Sequence, residues 1–149
     1  MDMHIWDVLE PNANYLEALP AYQRNTIEKL LENGLDYEGA ANVWLSANGP
    51  ANTFPFGAEV KKNSFVEKLK DEIGALMCNE EKYVEERKEI IAKCKGAGSA
   101  IITIITAYLA PVVGATPALI LPAVALIFNV ISKIGVNAWC AYRIESSHN

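Results

Sequence analysis

An all-α fold is what this sequence predicts, and three observations predict it. Along most of the first 95 residues, apolar side chains recur at spacings of three and four, the period of a helix with one buried face. Gly, Asn and Pro fall between those segments, where helices start and stop. Strand character is confined to the β-branched run "IITIIT" at 101–106, which has Ala and Leu around it and no second strand to pair with. We expect a single domain, as the length of 149 residues suggests. It should be a bundle of about five or six helices closed by a C-terminal hydrophobic helical hairpin.

The elements follow in order. "DMHIWDVLEP" offers one or two turns before Pro11, with Ile5, Trp6, Val8 and Leu9 as apolar content. "NANYLEALP" is a second short helix that Pro20 ends, unless Pro20 opens the next. "PAYQRNTIEKLLENG" carries Pro near its first turn, Ile27, Leu30 and Leu31 on one face, and Gly34 as a C-terminal cap. Asp36 is the N-cap expected for the next helix, with Ala40, Val43 and Trp44 on its inner face. Residues 48–58 form a loop in which Phe54 and Phe56 flank Pro55 and pin it to the core or present a docking site.

Ser64 and Glu67 have the spacing of a capping box, followed by a stripe of Val66, Leu69, Ile73 and Leu76. Asn79 is then the expected cap of "EEKYVEERKEIIAKCK", whose acidic start and basic end suit the helix dipole. Tyr83, Val84, Ile91 and Cys94 are expected on its apolar side, and its carboxylates on a wet one. Two apolar arms complete the chain. The first stops at Pro111, "PVVGATP" turns the chain, and the second runs from Pro117 toward Trp139 with Pro122 in its opening turns.

Charge divides the chain. Residues 1–95 hold 17 of the 18 acidic and 11 of the 13 basic residues, whereas 96–149 carry only Lys133, Arg143 and Glu145. The first part reads as an amphipathic helical layer and the second as a segment to be hidden from water. A net charge of −5 with no basic stripe argues against nucleic acid, whose affinity comes from cationic phosphate contacts.

Between Lys95 and Lys133 lie 37 uncharged residues. Each arm, of about 16 residues, reaches about 24 Å, slightly short of a hydrocarbon core of roughly 30 Å. Features suited to a membrane hairpin are Lys93 and Lys95 before the first arm and Lys133 and Arg143 after the second, which would share one side of the bilayer. Tyr108, Trp139 and Tyr142 sit where interfacial aromatics belong. Features suited to a soluble core are Thr103, Thr106, Thr116, Asn129 and Ser132 within the run, its three prolines, and the upstream apolar faces that need cover. A hairpin wrapped by amphipathic helices and later released into lipid satisfies both sets. The residues expected to meet lipid or a partner are Ile101, Ile104, Ile105, Tyr108, Leu109, Leu119, Leu121, Leu126, Phe128, Ile131 and Trp139.

No catalytic constellation is visible. His4 and His148 stand near opposite ends, and "GAG" at 96–98 lacks the strand that a phosphate loop follows. No cofactor or metal is therefore expected, nor enzymatic activity. Cys78, Cys94 and Cys140 are an odd number without a CxxC spacing and read as free thiols of a reducing compartment. With an N-terminus unlike a signal peptide, this points to a cytoplasmic location that extends to the inner face of a membrane. The function expected is that of a non-enzymatic, membrane-active or membrane-associated effector or pore-forming protein. The alternative is a soluble helical adaptor whose apolar C-terminal region is buried by a partner or by self-association as a homo-oligomer or hetero-complex.

Overall fold

The computed structural model describes residues 14–48, 58–78, 83–94 and 100–147. Among them are seven α-helices, one short 3-10 turn and no strand. After the turn Tyr15–Ala18 come α1 (Ala21–Glu32), α2 (Tyr37–Asn48), α3 (Ala58–Met77), α4 (Val84–Cys94), α5 (Ile101–Val113), α6 (Pro117–Ile134) and α7 (Val136–Ser147). The fold is all-α, with more helices than the expected five or six.

Local chemistry explains most boundaries. Pro20 stands at the N-cap of α1, and after Asn33 the chain turns at Gly34, whose φ of 100° is the left-handed region that glycine tolerates. Asp36 caps α2 by accepting the Gly39 N–H at 2.7 Å. The inner face of α2 is Ala40, Ala41, Trp44 and Leu45, two adjacent pairs one turn apart, while Val43 is exposed. The capping box does not start α3. That helix begins at Ala58, so Ser64 lies inside it. "AEVKK" at 58–62 is rich enough in helix formers to extend the helix back toward Pro55 and Gly57. Leu69, Ile73 and Leu76 of the expected stripe are buried, and the side chain of Val66 lies outside the described residues.

Tyr83, just before α4, and Ile90 and Ile91 within it are buried, Val84 is exposed, and the side chain of Cys94 lies outside the described residues. Arg87, only 8% exposed, donates from Nε to the Leu76 carbonyl (2.8 Å) and from Nη2 to that of Ala75 (3.0 Å). It thereby satisfies carbonyls left open at the C-terminus of α3 and sets its positive charge where the helix dipole favours it. The Tyr83 hydroxyl donates to Glu72 and fastens the same two helices. The N-terminal segment before Asn14, the Phe54–Phe56 loop, the Asn79 cap and the glycines at 96 and 98 lie outside the described residues.

Pro111 does not stop the first apolar arm. It sits within α5, which runs to Val113 and ends on Gly114 at φ 78°. Pro111 has no N–H to offer the carbonyl of Ala107, but Ala107 is exposed and water can serve it. The second arm stops short of Trp139, because Gly135 (φ 93°) breaks it into α6 and α7. At the start of α6, Thr116 caps by accepting the Leu119 N–H, and Pro117 occupies the first turn, where no donor is lost.

The core forms around α6. Helices α1, α2, α5 and α7 and the 3-10 turn all pack on it, α2 most extensively. From Pro122 to Asn129 every residue is buried, so this stretch is enclosed on all sides, as a helix apolar all round requires.

The cysteine expectation needs correction. Cys78, just after α3, and Cys140, on α7, are joined as a disulfide with their Cα atoms 5.7 Å apart, well within bridging distance. Sixty-two positions separate them in sequence, and only the folded chain brings them together. The free-thiol argument for a reducing, cytoplasmic location therefore loses its premise.

Candidate functional site

The segment singled out by its lack of charge folds as α5, the turn Gly114–Thr116 and α6, with the two helices packed on each other. Of the residues expected to meet lipid or a partner, Ile101, Ile105 and Leu109 on α5 are buried, as are Leu126, Phe128 and Ile131 on α6 and Trp139 on α7. Ile104, Tyr108, Leu119 and Leu121 are half-buried against the same core. The structure thus gathers all eleven into or onto one core.

Besides Thr103 and Ala107 on α5, the end where α5 turns into α6 is open to solvent. Pro111, Val112, Gly114, Thr116, Pro117 and Ala118 are exposed there, and none is charged.

Two of the expected flanking cations are held by aromatic rings. Lys93 lies 5.4 Å from the Tyr108 ring centre and donates to its hydroxyl at 3.1 Å, while that hydroxyl donates to Glu89 at 2.6 Å. This ties α4 to α5. Lys133 lies 4.7 Å from the Tyr37 ring centre and ties α6 to α2. Lys95 and the side chain of Arg143 lie outside the described residues.

Polar residues fasten the apolar helices to their cover. Pro122 has no N–H, so the Ala118 carbonyl, four residues earlier, is without its helical donor. Gln23 on α1 supplies one at 3.0 Å, and the Trp44 indole on α2 donates to the neighbouring Leu119 carbonyl at 2.7 Å. Further along α6, Asn129 is 3% exposed. Its Oδ1 accepts the Tyr15 backbone N–H at 2.8 Å, and its Nδ2 donates to Asn14 Oδ1 at 3.2 Å. Asn14 Oδ1 also accepts the Leu16 N–H at 3.1 Å. The 3-10 turn is therefore pinned to the most buried part of α6. Thr106 on α5 is buried with its hydroxyl unpaired.

The position of Pro122 could have signalled that the Ala118 carbonyl needs an outside donor. Nothing in the sequence named Gln23, Trp44, Tyr15 or Asn14 as the partners, because their separations of 75 to 115 residues follow only from packing.

By length and composition α6, at 18 residues, is apolar enough to cross a membrane, whereas α5 is a shorter apolar helix of 13. Ten of the 18 residues of α6 are buried inside the protein. His4 and His148 lie outside the described residues, and among the described ones no three His, Cys, Asp or Glu side chains gather as metal ligands would. Compared with protein-family models, with curated proteins and with solved structures, the chain finds no match.

Proposed function

We propose that this protein is a non-enzymatic, membrane-active helical protein. In this reading α5 and α6 form a C-terminal hydrophobic hairpin that the amphipathic helices cover until it is released into lipid. The observation that carries it is that the described part of the 37-residue uncharged run is folded as α5–turn–α6 with an exposed, uncharged tip. At 1.5 Å per residue α6 reaches about 27 Å and α5 about 20 Å. A hydrocarbon core of roughly 30 Å accepts the first with little adjustment and the second with local thinning. The cover is held by the shared apolar core and by a few polar side-chain contacts, connections that separate without breaking a helix and whose apolar part lipid can replace.

The test is flotation of the full chain with phospholipid vesicles, compared with Val112→Asp. Val112 is 37% exposed near the tip, so aspartate there leaves the folded protein intact. A charge that must enter the hydrocarbon costs about 3 kcal/mol. The full chain should float and Val112→Asp should stay in the soluble fraction. Absence of the full chain from the lipid layer in every buffer overturns the reading.

A second reading, a soluble interaction module, is favoured by the complete enclosure of 122–129, which is how a core helix sits. It predicts a lipid-indifferent chain that forms a stable oligomer or hetero-complex, with the exposed tip as the contact. Light scattering on the purified chain tests the self-associating form.

A further inference from the structure

We propose that the Cys78–Cys140 disulfide is a redox lock on the apolar hairpin, closed while oxidised and open once reduced; this rests on the hairpin-release reading above. The bridge joins the end of α3, in the charged part of the chain, to α7, which directly follows the hairpin. The two ends are held unequally. At Cys78 the chain is well anchored: Arg87 holds the last carbonyls of α3, and the Cys78 N–H donates to the Gly74 carbonyl at 2.9 Å. At Cys140 it is not. Among the described side chains of α7 only Trp139 is buried, while Asn137, Ala138, Ala141 and Tyr142 face solvent, Tyr142 at 60% exposure. Ile134, at the end of α6, is 51% exposed. Among its described side chains, α7 is therefore held by one buried tryptophan, by the half-buried Val136 and Cys140 and by the bridge.

The bond also limits where the hairpin can go. Cys140 lies six positions after Ile134, a span of at most about 20 Å when extended. While the bridge stands, the end of α6 stays within that reach of α3, and α3 itself packs against α5. Once it is cut, α7 keeps a single buried described side chain, Trp139, with Val136 and Cys140 half-buried beside it, and Gly135, already at positive φ, is a natural pivot away from α6. Neither cysteine is fully buried, so a small reductant can approach.

The chemistry is ordinary thiol exchange with a dithiol as reductant. One thiolate of the dithiol attacks a sulfur of the bridge, forming a mixed disulfide and releasing the other cysteine as thiolate. The second thiol of the reductant then displaces the remaining cysteine. Two electrons pass to the bridge, the dithiol closes as its own disulfide, and its two protons end on Cys78 and Cys140. Oxidising compartments preserve such a bond and reducing ones remove it, so the lock reads the compartment.

The experiment uses the full chain carrying Cys94→Ser, which retains the bridge and removes the stray thiol. Amide hydrogen exchange without lipid, and dye release from phosphatidylcholine–phosphatidylglycerol vesicles, are each measured with and without dithiothreitol. Cys78→Ser/Cys140→Ser serves as the permanently open form. Reduction should speed exchange in α7 and the C-terminal half of α6 by at least about tenfold, a modest share of a loop-closure effect. It should raise the rate of dye release by a similar factor, and the open form should match the reduced protein. Unchanged exchange overturns the lock whatever the vesicles do. Equal release in both redox states overturns the lock and leaves the membrane reading standing. Faster exchange with no release in either state overturns the membrane reading, and with it the gating role of the bridge.

Discussion

Replacing Asn129 by alanine should loosen the cover from α6 at one defined point. In the folded chain Asn129 Oδ1 is the acceptor for the Tyr15 N–H at 2.8 Å, and both residues are buried. Alanine leaves that N–H without a partner and out of reach of water, which costs about 1–3 kcal/mol. The second bond, Nδ2 to Asn14 Oδ1, is the longer, and Asn14 Oδ1 keeps the Leu16 N–H as a donor, so its loss adds a smaller share, about 0.5–1 kcal/mol. We expect a total near 2 kcal/mol, equivalent to a fall in Tm of about 4–8 °C for a chain of this size. Thermal unfolding followed by circular dichroism measures it.

Two companions make the reasoning specific. In a double-mutant cycle Asn14→Ala and Asn129→Ala should couple by more than about 0.5 kcal/mol, because they share a bond. Asn129→Asp keeps an acceptor for Tyr15 but turns a second oxygen on Asn14 Oδ1, and only its protonated form can donate there. Its folded carboxyl is thus raised above the unfolded value. Relative to the wild type, it should be most stable at acid pH and lose stability as pH rises. Asn129→Ala should also favour lipid, since a paired amide must abandon its partners to enter hydrocarbon and a methyl group need not. An alanine variant within about 0.5 kcal/mol of wild type, the ordinary range of surface changes, with additive behaviour in the cycle, would refute the pin.

The other predictions are shorter. Thr106→Val removes a buried hydroxyl that has no partner at nearly constant shape, so it should raise stability by about 1 kcal/mol in urea unfolding; a loss would show that the hydroxyl is paired in solution. Gly135→Ala places a Cβ at φ 93° with no neighbour within 4 Å, so the cost is backbone strain alone, about 1–3 kcal/mol, and Gly135→Asn should recover part of it. Tyr83 should make the fold sensitive to alkali. Burial first, and then the Glu72 carboxylate that accepts its proton, push its phenol well above the ordinary 10.0. A raised folded value means that the contribution is whole below about pH 10 and is lost as pH rises beyond it. Lys70 acts in the same direction: burial works to lower it, but Glu38 and Glu67 carry it above 10.5. Unfolding free energies from pH 8 to 11 should fall at the alkaline end for the wild type and fall less for Tyr83→Phe, and parallel curves would remove Tyr83 from the account.

The sequence by itself determined the class of the fold. Helical spacing named Leu69, Ile73 and Leu76 as core, turn chemistry marked Gly34, Asp36 and Thr116–Pro117, and the lack of charge from Gly96 to Ser132 marked the segment on which the proposed function rests. Those signals are local, because helix periodicity and capping act within one or two turns. They misled where a longer view was needed. Pro111 ended no helix, the residue whose carbonyl it frees, Ala107, being exposed, and Ser64 began none because good helix formers preceded it.

Tertiary structure alone decided which residues lie against which. Asn129 became a pin only when Tyr15 and Asn14 met it, and Gln23 became a donor only when α1 packed on α6 beside the carbonyl that Pro122 leaves free. Cys78 and Cys140 became partners only when α7 folded back on α3. Each of these bonds joins residues that the chain separates by dozens of positions. Their energies depend on burial and angle at contact, and neither quantity exists until the helices have packed.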